Sequence, residues 1–164
     1  MSTTTATVTN LGFLTILRDG NAYLGGYLVT NSWGRPLEFR LSSPVQPNRI
    51  QQILYGASLE PYICGNLIGK TLVEKTATAA EVIVTDFPSA HDLRLSVEVP
   101  VALINPAQPE SPLSSHGQFA SDKSALTILK NRLGNFDFAE PFGRIREAIA
   151  EARKMNVAGR FSTG

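Results

Sequence analysis

Two apolar runs of strand length meet at an Asp-Gly pair near the start of this chain, and no other feature constrains the fold as tightly. Leu11 to Arg18 (LGFLTILR) precedes Asp19-Gly20, and Asn21 to Thr30 (NAYLGGYLVT) follows it. Glycine takes the positive φ of a two-residue hairpin turn at no steric cost, and Asp tolerates it better than most residues. An antiparallel pair is therefore predicted. Both runs are apolar at successive positions instead of alternate ones, so the pair needs cover on both faces and belongs at the centre of a sheet. Gly25-Gly26 inside the second run marks a bulge or the close approach of another backbone.

The segments on either side extend this pair. Asn31 to Arg35 (NSWGR) is a loop, and Pro36 to Leu41 reads as a third strand. In it Leu37, Phe39 and Leu41 alternate with Glu38 and Arg40, the period of a half-buried strand. Pro47 can open a short helix with Ile50, Ile53 and Leu54 as its apolar stripe, stopped at Gly56. Ser58 is placed to cap a second helix running to about Lys75, with Leu59, Tyr62, Ile63, Leu67, Ile68 and Leu72 on its inner side. Gly65 and Gly69 leave a smooth face on that helix, at about 1 kcal/mol of helix propensity each. Glu81 to Asp86 is strand-like. Leu93, Leu95, Val97, Val99, Val101 and Leu103 then alternate with polar or small residues, which predicts a long strand, at a sheet edge near Pro100. The expected fold is α+β: an antiparallel sheet of about five strands, in the order β-β-β-α-α-β-β, with helices packed on one face.

After residue 104 the texture breaks. Pro106, Pro109 and Pro112 stand among Ser, Gln and Gly, the composition of a linker. A helix follows from Asp122 to Leu133, stopped by Gly134. Asp137 and Glu140 form a capping box for a final helix from Phe138 to about Met155. Phe138, Phe142, Ile145, Ile149 and Ala152 make one apolar stripe along it. The expected organisation is a disordered start at 1–8, an α+β core at 9–104, a Pro/Ser-rich linker at 105–121, a two-helix segment at 122–158 and a disordered tail at 159–164. The two-helix segment is too short to hold a core alone, so its stripe must dock on the first domain or on another protein.

Charge narrows the function classes. The 164 residues carry a net charge of +1, and 43% of them are hydrophobic. Up to residue 104 there are seven Lys/Arg against eight Asp/Glu, and beyond it eight against six. Neither part is a polycation, which argues against a nucleic-acid partner. The first ten residues lack the basic and apolar regions of a signal peptide, and no apolar run approaches the ~18 residues of a membrane span. A cytoplasmic address is expected, with no membrane partner.

Motifs for chemistry are weak. Gly65 to Thr71 (GNLIGKT) resembles a phosphate-binding loop, but only three residues separate its glycines where the loop needs four, and it falls inside a helical pattern. Cys64, the single cysteine, lies between apolar neighbours and reads as a buried small residue. His91 and His116 lack metal-ligand spacing. The sequence therefore assigns no catalytic residue, no cofactor and no metal site. It points to a non-catalytic protein-interaction or assembly module, a subunit or adaptor that binds a protein partner or further copies of itself. Candidate contacts are Trp33 and Arg35 in their loop, the Gly65/Gly69 helix face, and Phe138, Phe142, Ile145 and Ile149 on the last helix. Tryptophan and arginine are enriched at binding hot spots. The alternatives are a small enzyme or ligand sensor with an unmarked polar pocket that uses His91, Asp92, Arg94 or Asp86, and a nucleic-acid accessory domain.

Overall fold

The computed structural model describes residues 9–157. The expectations for residues 1–8 and 159–164 lie outside them.

Strands β1 (Leu11–Asp19) and β2 (Ala22–Thr30) form the predicted antiparallel hairpin. Its turn is shifted by one residue from the predicted pair. Asp19 faces Ala22, so Gly20 and Asn21 are the central residues, and only Gly20 has a positive φ, of 63°. Strand β3 (Pro36–Leu41) pairs antiparallel with β2, with a bulge at Val29/Thr30. Helix α1 (Arg49–Tyr55) follows. A longer helix, α2, occupies residues 59–75; its middle, Tyr62–Gly69, is wound as a π-helix, and Lys70–Lys75 return to α geometry. Strands β4 (Val82–Thr85) and β5 (Val101–Leu103) complete the sheet, and α3 (Asp122–Leu133) and α4 (Glu140–Val157) end the chain.

The sheet order is β3-β2-β1-β4-β5. It is a mixed sheet, which corrects the expected antiparallel one: β4 runs parallel to β1, and β5 parallel to β4. The reason lies in the connections. Strand β3 runs in the same sense as β1, and α2 carries the chain back across the sheet so that β4 starts at the same end, the geometry of a parallel crossover. The link from β4 to β5 is a second crossover. It uses Pro88–Ser96 as a 3₁₀-helical stretch, leaving only Val101–Leu103 in the sheet. The long strand expected from the Leu93–Leu103 alternation is thus replaced by a crossover and a three-residue strand.

Helices also cover both faces, not one. Alternate side chains of β1 point into two separate cores, as expected for a strand of period two. Leu11 and Phe13 pack with Val84, Leu126, Phe142, Ile145 and Ile149, beneath α3 and α4. Leu14 and Ile16 pack with Ile63, Cys64, Ile68, Leu72 and Leu93, beneath α2 and the crossover. The neighbouring glycines of β2 serve these two layers in turn. A Cβ on Gly25 would strike Ile68 of α2, and one on Gly26 would lie 2.6 Å from Ile145 Cγ2 of α4. The close approach expected at Gly25-Gly26 is that of helix side chains, one from each face.

The Pro/Ser-rich stretch lies against the first part of the chain. Leu103 and Ser114 exchange two backbone hydrogen bonds, and Leu113 is buried. His116 is buried too, with its Nε2 2.7 Å from Asp92 Oδ1. Its Nδ1 accepts the Gln118 N–H, so the proton sits on Nε2 and is donated to the carboxylate. Next to it, Arg94 pairs with Asp122 at 2.8 Å and lies over the Phe119 ring.

Candidate interaction surface

The segment between β2 and α2 differs from the rest of the surface. Its loop is built on Asn31, whose side-chain oxygen accepts the N–H groups of Trp33 (2.9 Å) and Arg35 (3.0 Å). Two backbone bonds, Gly34 N–H to Asn31 O and Asn31 N–H to Arg35 O, close the turn, with Gly34 at φ 82°. Arg144 of α4 donates to the Gly34 carbonyl at 2.8 Å. So anchored, the loop holds Trp33 outward, with 87% of its surface exposed. Arg35 beside it is exposed as well. Beneath the indole lies an open hollow of about 500 Å³ lined by Phe136, Asp137, Glu140 and Arg144.

Strand β3 is the edge of the sheet on this side. Its two faces are chemically distinct. Leu37, Phe39 and Leu41 point to the α4 side, where Leu41 joins the core and the other two remain exposed. Glu38 points to the α2 side, accepting the N–H groups of Ala77 and Thr78 and pairing with Arg40 at 2.9 Å. Those two backbone donors hold the Glu38 carboxyl well below the usual range, at about 2.

Helix α1 comes next. A full capping box starts it: Asn48 Oδ1 accepts the Gln51 N–H, and the Gln51 side chain accepts the Asn48 N–H. Gly56, at φ 54°, ends it. The predicted stripe is present, but it is turned to water. Ile50, Ile53 and Leu54 are 67%, 63% and 77% exposed, and no residue of the helix is buried. Among the described residues, eleven large hydrophobic side chains are exposed, and seven of them are Trp33, Leu37, Phe39, Ile50, Ile53, Leu54 and Tyr55. Exposed apolar surface is therefore gathered between residues 33 and 55.

The other expected contacts lie elsewhere. Gly65 and Gly69 face the chain's own crossover. A Cβ on Gly65 would lie 2.7 Å from the backbone N of Leu93, and one on Gly69 would lie 3.1 Å from a Leu14 methyl. Phe138, Phe142, Ile145 and Ile149 are buried against the sheet. The stripe of the last helix is thus covered in cis, and of the residues singled out from sequence, Trp33 and Arg35 stand free. The α1 stripe was visible in the sequence as a pattern, and its length was the signal that could have marked it as surface. Two turns between Pro47 and Gly56 cannot reach across a five-stranded sheet.

The polar groups considered for chemistry separate into two places. His91 and Asp92 of the crossover meet His116, with His91 Nε2 2.7 Å from the Val101 carbonyl, and Arg94 pairs beside them with Asp122. Burial pushes the His91 pKa down. Among the described residues no hydroxyl or thiol is hydrogen-bonded to either imidazole. Asp86 stands apart, at the C-terminal end of β4. It accepts from Thr15 Oγ1 (2.7 Å) and pairs with Arg146 (2.9 Å), and it lines a crevice of about 880 Å³ with Asn105, Leu113, Ser114 and Lys123. Cys64 is wholly buried, and burial pushes its thiol up to about 12, far from nucleophilic at neutral pH. Lys70, from the phosphate-loop-like run, is exposed within α2 and reaches towards Glu74. No group of three or more His, Cys, Asp or Glu among the described residues is placed to hold a metal ion, and no described helix is long and apolar enough to cross a membrane. Comparison with known protein families, with curated proteins and with solved structures finds no match for this chain.

Proposed function

We propose that this chain is a non-catalytic protein-interaction module, a subunit or adaptor that meets its partner through residues 33–55. The observation that carries this reading is the gathering in that one segment of seven of the eleven exposed large hydrophobic side chains among the described residues. Single exposed apolar residues need no explanation, whereas so many gathered in one segment of the chain call for a partner. A rigidly presented tryptophan next to an arginine adds the residue types that dominate binding energy. The test is affinity capture from the native cell with the wild-type chain, with Ile53→Glu/Leu54→Glu, and with Ile128→Glu as an exposed control on α3. A specific partner should be retained by the wild type and the control, and its affinity should drop on the order of tenfold or more in the α1 variant. Equal retention by all three would sink the proposal.

A second reading, ligand sensing, draws on the crevice at the C-terminal ends of the parallel strands β4 and β5. Ligands commonly bind there in open α/β sheets, and its volume suits a small molecule. Both Asp86 oxygens are already engaged, which leaves the hydroxyls, the amides and Lys123 as the recognition groups. Thermal-shift screening of small-molecule classes, repeated with Leu113→Trp to fill the crevice, tests it. No stabilising compound, or stabilisation that survives the filling, would remove this reading.

A further inference from the structure

We propose that β3 pairs edge to edge with β3 of a second copy of this chain, antiparallel about a two-fold axis at Phe39, joining two five-stranded sheets into one of ten. The proposal rests on the interaction-module reading and names the partner for part of its surface.

The direction of the backbone groups follows from the ladder. Ser42 N–H donates to Gly25 O at 2.9 Å, so position 42 faces β2. In an antiparallel ladder this alternates, and the register Gly26↔Leu41, Tyr27↔Arg40, Leu28↔Phe39 and Val29↔Glu38 continues it. Glu38 and Arg40 therefore turn their N–H and C=O groups to β2, and Leu37, Phe39 and Leu41 turn theirs outward. Among the described residues no strand pairs with that outer edge. An open edge with hydrogen-bonding groups at every second residue is a template for another strand.

The side chains choose the second copy. A two-fold axis requires residue i to meet residue j while j meets i. Placed at Phe39, an outward-facing position, the axis sets Phe39 opposite Phe39 as a hydrogen-bonded pair and Leu37 opposite Leu41. On the α4 face this joins the exposed Leu37 and Phe39 side chains of both copies into one apolar strip. On the α2 face it sets Glu38 of each copy opposite Arg40 of the other, in the non-hydrogen-bonded positions where cross-strand side chains come closest. A shift of the axis by one residue would oppose Glu38 to itself or Arg40 to itself, and it would point the central backbone groups the wrong way. Hydrogen bonding, apolar matching and charge thus select the same register.

Sedimentation velocity of the full chain over a micromolar to millimolar series tests this. The wild type should dimerise. Arg40→Glu places Glu opposite Glu twice and should weaken association on the order of tenfold, while Glu38→Arg/Arg40→Glu should restore it. Phe39→Lys, at an exposed position, should give a monomer with unchanged circular dichroism. Ile53→Glu/Leu54→Glu should leave the dimer intact, so the α1 capture assay and this one fail independently. A wild type that stays monomeric, or a dimer indifferent to both Arg40→Glu and Phe39→Lys, would overturn the proposal. If Glu38→Arg disturbs the Ala77/Thr78 contact, Arg40→Glu and Phe39→Lys still decide it.

Discussion

Helices α1 and α4 carry the same kind of pattern and meet opposite fates. In α4, Phe142, Ile145 and Ile149 follow a helical period and are buried on the chain's own sheet. In α1, Ile50, Ile53 and Leu54 follow the same period and remain in water. Length and tether make the difference. Helix α4 has 18 residues and lies against Gly26, where the missing side chain lets it settle on β2. Helix α1 has seven residues and follows the edge strand, with the start of α2 as its neighbour. Amphipathic spacing states that a stripe needs cover; it does not state whose. In α4 the stripe is part of folding, and in α1 it stays uncovered by the described residues.

Truncating side chains on the two helices should expose that contrast most strongly. Phe142→Ala removes a wholly buried ring that meets Phe13 edge-on, and should cost about 3–5 kcal/mol in urea unfolding. Ile53→Ala should stay within about 0.5 kcal/mol of the wild type. Comparable losses at both sites would break the comparison, because α1 would then be packed in solution.

A smaller effect separates a glycine that folding uses from one it merely tolerates. Gly65→Ala would push a methyl into the Asp92–Leu93 backbone, which cannot swing aside as a side chain can. The expected loss is about 1–3 kcal/mol, despite the better helix propensity of alanine. Gly69→Ala meets a flexible Leu14 methyl and the Cys64 carbonyl at 3.1 Å, and should cost less. If Gly65→Ala proved neutral, the crossover would not be clamped on α2 as tightly as the geometry implies.

These elements show what was legible in the sequence. The hairpin, β3, α1, α2 and the stripe of the last helix were readable from turn chemistry and period, because those are local properties. The doubly apolar β1 and β2 already required cover on both faces, so helices on one face never satisfied them. Strand direction was not legible: whether β4 runs with β1 or against it depends on where α2 returns the chain, and no residue pattern encodes that. The Leu93–Leu103 alternation misled because a crossover packed on a sheet buries some of the same residues: Leu93 is buried and Val97 and Val99 pack on the core, while Leu95 stays exposed. For the interaction surface, Trp33 and Arg35 were readable by residue type. The exposure of α1 was marked only by the shortness of the helix, since the stripe itself looks alike whether buried or free. The His116–Asp92 contact, 24 residues apart, was out of reach for the same reason that any spatial pairing is.

That contact region is also where pH should act, more weakly than core truncation. His91 faces Asp92, His116, Ser114 and the Val101 carbonyl; burial, helped by the neighbouring His116, lowers its pKa against the pull of the Val101 and Ser114 backbone and of Asp92. The unfolded chain therefore binds a proton that the folded one resists. Stability from this site is complete above the unfolded pKa of about 6.5 and declines as pH falls through the lowered folded value. In urea titrations from pH 7 to 5, His91→Gln should show a shallower decline than the wild type. A steeper or unchanged decline would mean that the imidazole is not held neutral. Glu38 contributes lower down: its carboxyl, held at about 2, stabilises above about 4.5 and loses that effect as pH falls towards 2.

The mildest perturbation reports on the exposed segment directly. Trp33 is the single tryptophan, so the intrinsic emission of the protein belongs to the surface and not to the core. With 87% of its area in water, its emission maximum should match that of a short tryptophan peptide and be quenched by iodide almost as readily. Urea unfolding should then barely shift the maximum, although circular dichroism falls; in a protein with a buried tryptophan the two signals move together. Trp33→Ala should leave stability within about 0.5 kcal/mol, as expected for a surface side chain whose loop is held through backbone bonds to Asn31. A blue-shifted, iodide-resistant emission in the free chain would place the indole under cover and remove it from the contact surface. The same shift appearing only when a partner is added would instead locate that partner on the Asn31–Arg35 loop, which no stability measurement can do.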